Sequence, residues 1–326
     1  MQPIALPSNQ PADRFYLGGP RISELRGEGD HGPRTPEDWV ASTTTVRGTD
    51  VGLTRLPDGT LLRDAIAADA VAWLGQEHVA AFGTDTKLLV KLLDPGQRLP
   101  VHAHPDTAFA SSHVGTTHGK AEAWYILAPG EVYLGLTRDV PLDELTALVE
   151  TQDIERMLGL MHRVHVQPHD TVYVPPGVLH AIGEGVLLAE VQEPEDLSIL
   201  LEWRDFELDG VRDGHLGIGF ETALQAVETR GRSADEVAGL IVRGAGAGST
   251  LVPPADEFFR LERIVVDGSH ELDAGFAVLI VLDGALTLGD LELTRGSTVL
   301  VPHAAGPLLL RGTGDVLAAR PPATSD

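Results

Sequence analysis

Val101-His102-Ala103-His104-Pro105, then Gly119-Lys120-Ala121-Glu122-Ala123-Trp124-Tyr125, then Pro175-Pro176-Gly177-Val178-Leu179-His180, are the stretches that decide how this chain reads. His102 and His104 are two residues apart. On a β-strand they leave the same face, where two imidazoles can share one cation. Glu122 follows His104 by 18 residues and begins the apolar run Trp124 to Leu127, which reads as the next inward-facing strand. His180 comes 58 residues after Glu122, behind Val172-Tyr173-Val174 and a Pro-Pro-Gly turn. The spacing predicts that His102, His104, Glu122 and His180 meet as ligands of one divalent metal. The scattered histidines His31, His78, His162, His165, His169 and His215 form no such set and read as ordinary surface or core residues.

An internal repeat extends the reading. Asp170-Thr171-Val172-Tyr173-Val174-Pro175 returns 127 residues later as Ser297-Thr298-Val299-Leu300-Val301-Pro302, and Ala123 to Leu127 resembles Ala277 to Val281. Two similar barrels follow from it. Carried across the repeat, Glu122 falls on Phe276 and His180 on Pro307, with no HxH pair before Phe276. The second copy is therefore expected to hold no metal and to brace or shape the pocket. An HxH pair, a Glu on the next strand and a His after a Pro-Gly turn resemble the metal signature of the cupins, a jelly-roll type. The expected fold class is all-β with helical insertions, built on two cupin (jelly-roll) barrels.

The organisation read along the chain is an N-terminal extension of short strands over 1–85 packing on the first barrel, then a metal-binding cupin barrel over 86–204. The latter contains a helical insertion at 141–161, where apolar residues recur at helical spacing behind Asp starts. A helical linker over 205–250 holds helices near Phe220 to Glu228 and Ser233 to Val242, and a metal-free cupin barrel fills 251–326. The run Gly244-Ala245-Gly246-Ala247-Gly248 is a turn; it lacks the Lys-Ser/Thr of a phosphate loop.

Composition narrows the function. At 326 residues the chain can bury two cores, and its 43% hydrophobic content contains no run of about 18 apolar residues such as a membrane span needs. No basic segment followed by an apolar stretch opens it, so a cytoplasmic location is expected. With no cysteine, a metal must be held by nitrogen and oxygen. A net charge of −24 argues against nucleic acid or an anionic membrane as partner. The partner expected is a small-molecule sugar substrate; oligomeric state is not legible. Of only three lysines, Lys120 alternates onto the face of Glu122, where it could pair with a carboxylate, hold an anionic group or move a proton, and Lys91 lies inside an apolar strand as a candidate buried partner.

His104-Pro105-Asp106, Gly119 to Leu127, Tyr173 to Gly177 with His180, and Glu190-Val191-Gln192 with Asp196 are similar to the type I mannose-6-phosphate isomerases, in their short bacterial form. Leu17-Gly18-Gly19 and Glu37 to Ser42 resemble that family's N-terminal motifs, so the likeness spans nearly the whole chain. The resemblance implies a Zn-dependent aldose–ketose isomerase that moves a proton between C1 and C2 through an enediolate, with His104, Glu122 and His180 as ligands. His102 stands where the family has Gln, which opens the site to Mn or Fe as well as Zn. Lys120 and Glu190 are the candidate catalytic residues. A lysine desolvated beside a cation is expected to have a lowered pKa. The family's Tyr-Arg pair falls on Ile199-Leu200 and its Ser near the phosphate on Pro100. With both polar contacts gone, the sequence points to a neutral or weakly anionic sugar. Two other readings stand beside the isomerase: another metal-cupin enzyme of oxygenase type, and a sugar-binding regulator without catalysis.

Overall fold

The repeat seen in the sequence returns as a repeat of strand pairing. In this computed structural model, which describes residues 1–324, a six-stranded sheet runs in the order Ile241–Val242, Thr171–Val174, Glu122–Ile126, Leu188–Gln192, Leu89–Leu93, Glu37–Val40. A seven-stranded sheet repeats its middle as Thr298–Val301, Ala277–Leu288, Leu308–Arg320, Arg260–Leu272, with Ile4–Leu6 and Gly248–Ser249 at the ends and Leu291–Thr294 paired to Ala277–Leu288. A five-stranded sheet, Ile199–Leu200, His102–Ala103, His180–Ile182, Gly130–Leu136, Met161–Val166, completes the first region. The molecule is thus mostly sheet with short helices, in three sheets.

Register corrects the equivalence read from the repeat by one residue. Glu122 lies opposite Val174. Val301, the counterpart of Val174, lies opposite Ala277 and not Phe276. A one-residue shift exchanges the faces of a strand, so the interior counterpart of Glu122 is Ala277, which is fully buried. Matching Ala123 to Ala277 by identity alone could not reveal this, because the loops before the two strands differ in length. By the same pairing Glu190, opposite Trp124, corresponds to Ala318, opposite Leu279; Lys91, opposite Glu190, corresponds to Glu262, opposite Ala318.

The N-terminal extension is not the series of short strands expected. Leu62–Ala68, Ala70–Leu74 and Gln76–Phe82 are helices. The segment is rich in alanine, the best helix former. Leu62 and Ile66, one turn apart, are buried, and the Asp69 carboxylate accepts from the Ala72 N–H at 3.2 Å to cap the second helix. The extension also reaches both large sheets: Glu37–Val40 pairs with Leu89–Leu93, and Ile4–Leu6 pairs with Thr298–Val301.

Between these sheets the helical expectations divide. Leu142–Thr151 and Ile154–Gly159 are helical, the second capped by Asp153, and Met161 already begins a strand. Ser233 starts a helix with a capping box to Glu236, but that helix ends at Ala238. The β-branched pair Ile241–Val242 is a strand on the edge of the six-stranded sheet and does not continue the helix to Val242. Phe220 to Ala226 is a short helix that stops before Glu228. Among the described residues no helix is long and apolar enough to cross a membrane.

Candidate metal centre

Two neighbouring strands and one tight turn bring the three histidines together. His102 pairs directly with His180 across the five-stranded sheet. Gly177, at φ +85°, makes the turn before His180, a conformation that favours glycine. Its N–H donates to the His104 carbonyl at 2.7 Å, tying the turn to the HxH stretch. Each imidazole faces a backbone carbonyl with Nδ1: His102 to Pro100 at 2.8 Å, His104 to Leu197 at 2.5 Å and His180 to Val178 at 2.8 Å. A nitrogen facing a carbonyl oxygen must carry the proton, so in each neutral ring Nε2 keeps its lone pair.

Those lone pairs converge. One nitrogen from each of His102, His104 and His180 lies within 4.8 Å of the others, and all three residues are buried. Burial pushes the His102 and His104 pKa values down, that of His104 to about 3, with neighbouring imidazoles and Lys120 adding to the effect. Neutral imidazole is the form that binds a metal. The buried His180 Nε2 has no hydrogen-bond partner. A buried nitrogen without a partner is costly unless something else accepts its lone pair, so this donor set fits a cation. Glu122 lies beside it, with Oε2 3.1 Å from His104 Nε2 and Oε1 3.2 Å from His180 Nε2. All four residues named from the sequence therefore meet.

Both candidate catalytic residues lie beside them. Lys120 Nζ is 2.6 Å from Glu122 Oε2 and 3.0 Å from His104 Nε2, so its ammonium supplies positive charge to the cluster. Burial pushes Lys120 down, but Glu122 and Glu190 outweigh it and the net shift is upward, the reverse of the lowering expected from sequence. Glu190 is 3.3 Å from Lys91, which is 3.9 Å from Glu37, which accepts from Arg14 at 3.3 Å and from the Tyr16 hydroxyl. Arg14, Glu37, Lys91, Glu190, Lys120 and Glu122 thus form a buried series of alternating charge across four adjacent strands and the loops beside them. Glu37 is held down at about 2, burial being outweighed by Arg14 and Lys91. Glu190 is pushed up, first by burial and then by Glu122.

The series floors a pocket of about 530 Å³. Pro100 and Leu200 line it, as the sequence comparison required, yet so do Arg14, Arg47 and Arg212. The premise that an anion would find no donors there fails: five cationic and five acidic side chains line a pocket in a chain of net charge −24. Sequence reasoning missed these arginines because two sit in loops and Arg212 in the short helix Gly210–Asp213, far apart along the chain and in no local pattern. Arg14 is committed to Glu37 and Asp196, and Arg212 pairs with Asp213. Arg47 is exposed; its backbone N–H donates to Asp196 Oδ2 at 3.0 Å, while its guanidinium donates to the Leu216 carbonyl at 3.4 Å and forms no ion pair within 4.0 Å among the described residues.

No family model matches the chain. The chain is 26% identical over 319 residues to the Probable mannose-6-phosphate isomerase GmuF of Bacillus subtilis (strain 168), covering 93% of this chain and 95% of that one. Against the mannose-6-phosphate isomerase of Streptococcus mutans it is 28% identical over 241 residues, 70% of this chain and 73% of the other. The crystal structure of the mannose 6-phosphate isomerase from Bacillus subtilis superposes with a TM-score of 0.73 at 23% identity, over 98% of this chain and 100% of that chain. A mutant of phosphomannose isomerase from Salmonella typhimurium superposes at 0.78 with 15% identity, over 99% and 100%. The resemblance to the type I mannose-6-phosphate isomerases read from the motifs is matched by relatives along the chain and by the fold.

Proposed function

We propose that the chain is a metal-dependent aldose–ketose isomerase acting on mannose 6-phosphate or a closely related hexose phosphate. The observation that carries this reading is the convergence of three buried imidazoles and Glu122 beside a buried Glu190–Lys91 pair at the floor of a pocket with arginines at its sides. His102, His104, Glu122 and His180 hold one divalent cation, with Zn first and Mn or Fe as alternatives; bound there, it supplies Lewis acidity toward the sugar oxygens at C1 and C2.

The chain's own groups do the rest. Glu190, whose carboxyl is raised by burial, takes the proton from one carbon and returns it to the other across one face of the sugar. Lys91 at 3.3 Å keeps that carboxylate oriented. Lys120 donates a hydrogen bond to the oxygen on which negative charge develops. Arg47 and Arg212 take the place of the polar contacts that Pro100 and Leu200 cannot make and hold the phosphate. We also propose that the six- and five-stranded sheets form one cupin-type unit and the seven-stranded sheet a metal-free second one, as the repeated strand order supports.

The test is NMR in D₂O with mannose 6-phosphate and with mannose. Exchange of the C2 proton and appearance of the ketose are expected with the phosphate ester and metal-replete protein. No exchange with either sugar would overturn the reading. Because three histidines and one carboxylate also suit iron, oxygen uptake by protein that purifies with iron would favour the oxygenase-type reading instead.

A further inference from the structure

A second cleft, about 650 Å³, lies where the segment 74–78 meets the C-terminal region and is lined among others by Arg260, Glu262, Phe276, His303 and Arg320. Arg260 and Arg320 are direct partners on adjacent antiparallel strands. Their side chains leave the same face side by side, an arrangement that is unfavourable for like charges. Arg320 is 6% exposed. Its Nη2 donates to the Asp273 carbonyl at 3.0 Å, and Arg260 Nε donates to the Pro321 carbonyl at 2.8 Å. Among the described residues no carboxylate oxygen lies within 4.0 Å of either guanidinium.

That distinguishes Arg320 from three other shielded arginines. Arg14, Arg26 and Arg263 each have a carboxylate within 3.3 Å. Burial pushes Arg320 down and Arg260 pushes it further, with Glu262 and Asp273 acting the other way from beyond ion-pair distance. A buried guanidinium normally keeps its charge by finding an anion. Five N–H donors in a planar fork match an oxyanion, and two such forks side by side match a dianion. By register Arg320 is the counterpart of Gln192, which lies opposite Glu122; the position that holds a neutral amide in the first copy holds a guanidinium in the second.

We propose that the C-terminal cleft is a second small-molecule site, in which Arg260 and Arg320 bind the phosphate group of a phosphorylated metabolite and Glu262 and His303 meet its hydroxyl groups. The carboxylates of Glu77, Glu262, Glu271 and Asp273 around the cleft repel extended polyanions and so restrict it to small ligands. The proposal does not depend on the isomerase reading.

The probe is inorganic phosphate, titrated calorimetrically into full-length Arg47→Ala protein so that the pocket beside the candidate metal centre is weakened. Binding is expected, and Arg260→Ala in that background should weaken it at least about tenfold, the loss of one charge-assisted contact. Arg260 is exposed, so this variant should fold; Arg320→Met, which also releases the Asp273 turn, serves as the stronger variant. Crystals soaked in tungstate should show anomalous density between the two guanidinium groups. Absence of that density, or phosphate affinity unchanged by Arg260→Ala, overturns the proposal. C2-proton exchange with mannose 6-phosphate, measured on protein that keeps Arg47, is expected to be the same with and without Arg260→Ala, so the two readings fail separately.

Discussion

The two copies of the strand pairing share an order and differ in what they bury. In the first, Glu122, Glu190 and Lys91 face inward and are each at most 5% exposed. At the counterpart positions the second has Ala277 and Ala318, both fully buried, and the half-buried Glu262. The second copy packs Leu279, Val281, Leu286, Val299 and Val316 around those alanines into a continuous apolar cluster. It shows that this frame folds with an apolar interior. Taking charges out of water costs several kcal/mol each unless they are well paired, and an apolar replacement is often no worse. The buried charges of the first copy are therefore not needed to make the fold, which is the physical reason to look for their use in chemistry.

The largest effect should come from dismantling the cluster that only one copy has. His104→Ala and Glu122→Gln are expected to abolish stoichiometric metal in the purified protein and to lower kcat/KM by at least about 10³-fold. His303→Ala, beside the Pro302 turn of the second copy, should change neither. Metal content that falls with His303→Ala but survives His104→Ala would erase the distinction between the copies.

Next in size is the charge series itself. Lys91→Met leaves Glu190 and Glu37 without their shared cation, and breaking a buried pair in this way costs about 3–5 kcal/mol. Urea unfolding should show that loss, while Glu262→Gln at the counterpart position should shift stability by less than about 0.5 kcal/mol. The double variant Lys91→Met/Glu190→Met should regain part of the deficit, since Glu37 still has Arg14 at 3.3 Å. Equal stabilities for all three would mean that the series contributes nothing as a unit.

How much of this was legible in advance follows from the range of each signal. The convergence of His102, His104 and His180 beside Glu122 was, because HxH spacing, a Glu at a strand start and a His behind Pro-Gly are local patterns that the strand geometry brings together. The repeat was legible too, but its register was not, since the equivalence of Glu122 with Ala277 depends on which residues face each other across strands. The helices at residues 62–82 were missed although alanine content favours them, because they are three short helices interrupted at Asp69 and Gly75, each too short to show a clear 3.6-residue period. Arg14, Arg47 and Arg212 were out of reach altogether: nothing in an arginine of a loop or a one-turn helix says which pocket the chain will bring it to. That omission led directly to the expectation of a neutral sugar.

The rim arginines sharpen the comparison on the side of the substrate. Arg47→Ala and Arg212→Ala are each expected to lower kcat/KM for mannose 6-phosphate about tenfold, equivalent to about 1.4 kcal/mol, and to leave mannose itself nearly unaffected. A preference of the unmodified protein for mannose, or equal losses on both sugars, would return the reading to the neutral substrate.

The smallest expected effect concerns how the first copy holds its charged strand in place. His118, four residues before Glu122, lies with Nε2 2.6 Å from Asp85 and Nδ1 3.6 Å from Glu193. Glu193 in turn accepts from the Ala121 N–H at 2.9 Å, so His118 ties the extension to the segment carrying Lys120 and Glu122. Four residues before Ala277 the second copy has exposed Asp273, whose carboxylate makes no hydrogen bond or ion pair among the described residues. Burial lowers the His118 pKa, but the hydrogen bonds to Asp85 and Glu193 outweigh it, and Lys87 at 3.2 Å opposes them; the net result is a rise from 6.5 to about 9. Glu195, raised by burial and lowered by His118, is the remaining acidic group that senses it. A group whose pKa is raised on folding binds its proton more tightly in the native state. Its stabilisation is complete below about pH 6.5 and is lost as pH climbs through about 9. The urea midpoint should therefore decline between pH 7 and pH 9.5 in the unmodified protein, by more than in His118→Gln, which cannot titrate. Parallel declines in the two proteins would show that the tie is not electrostatic, and that the strand bearing Glu122 is held by its ladder partners alone.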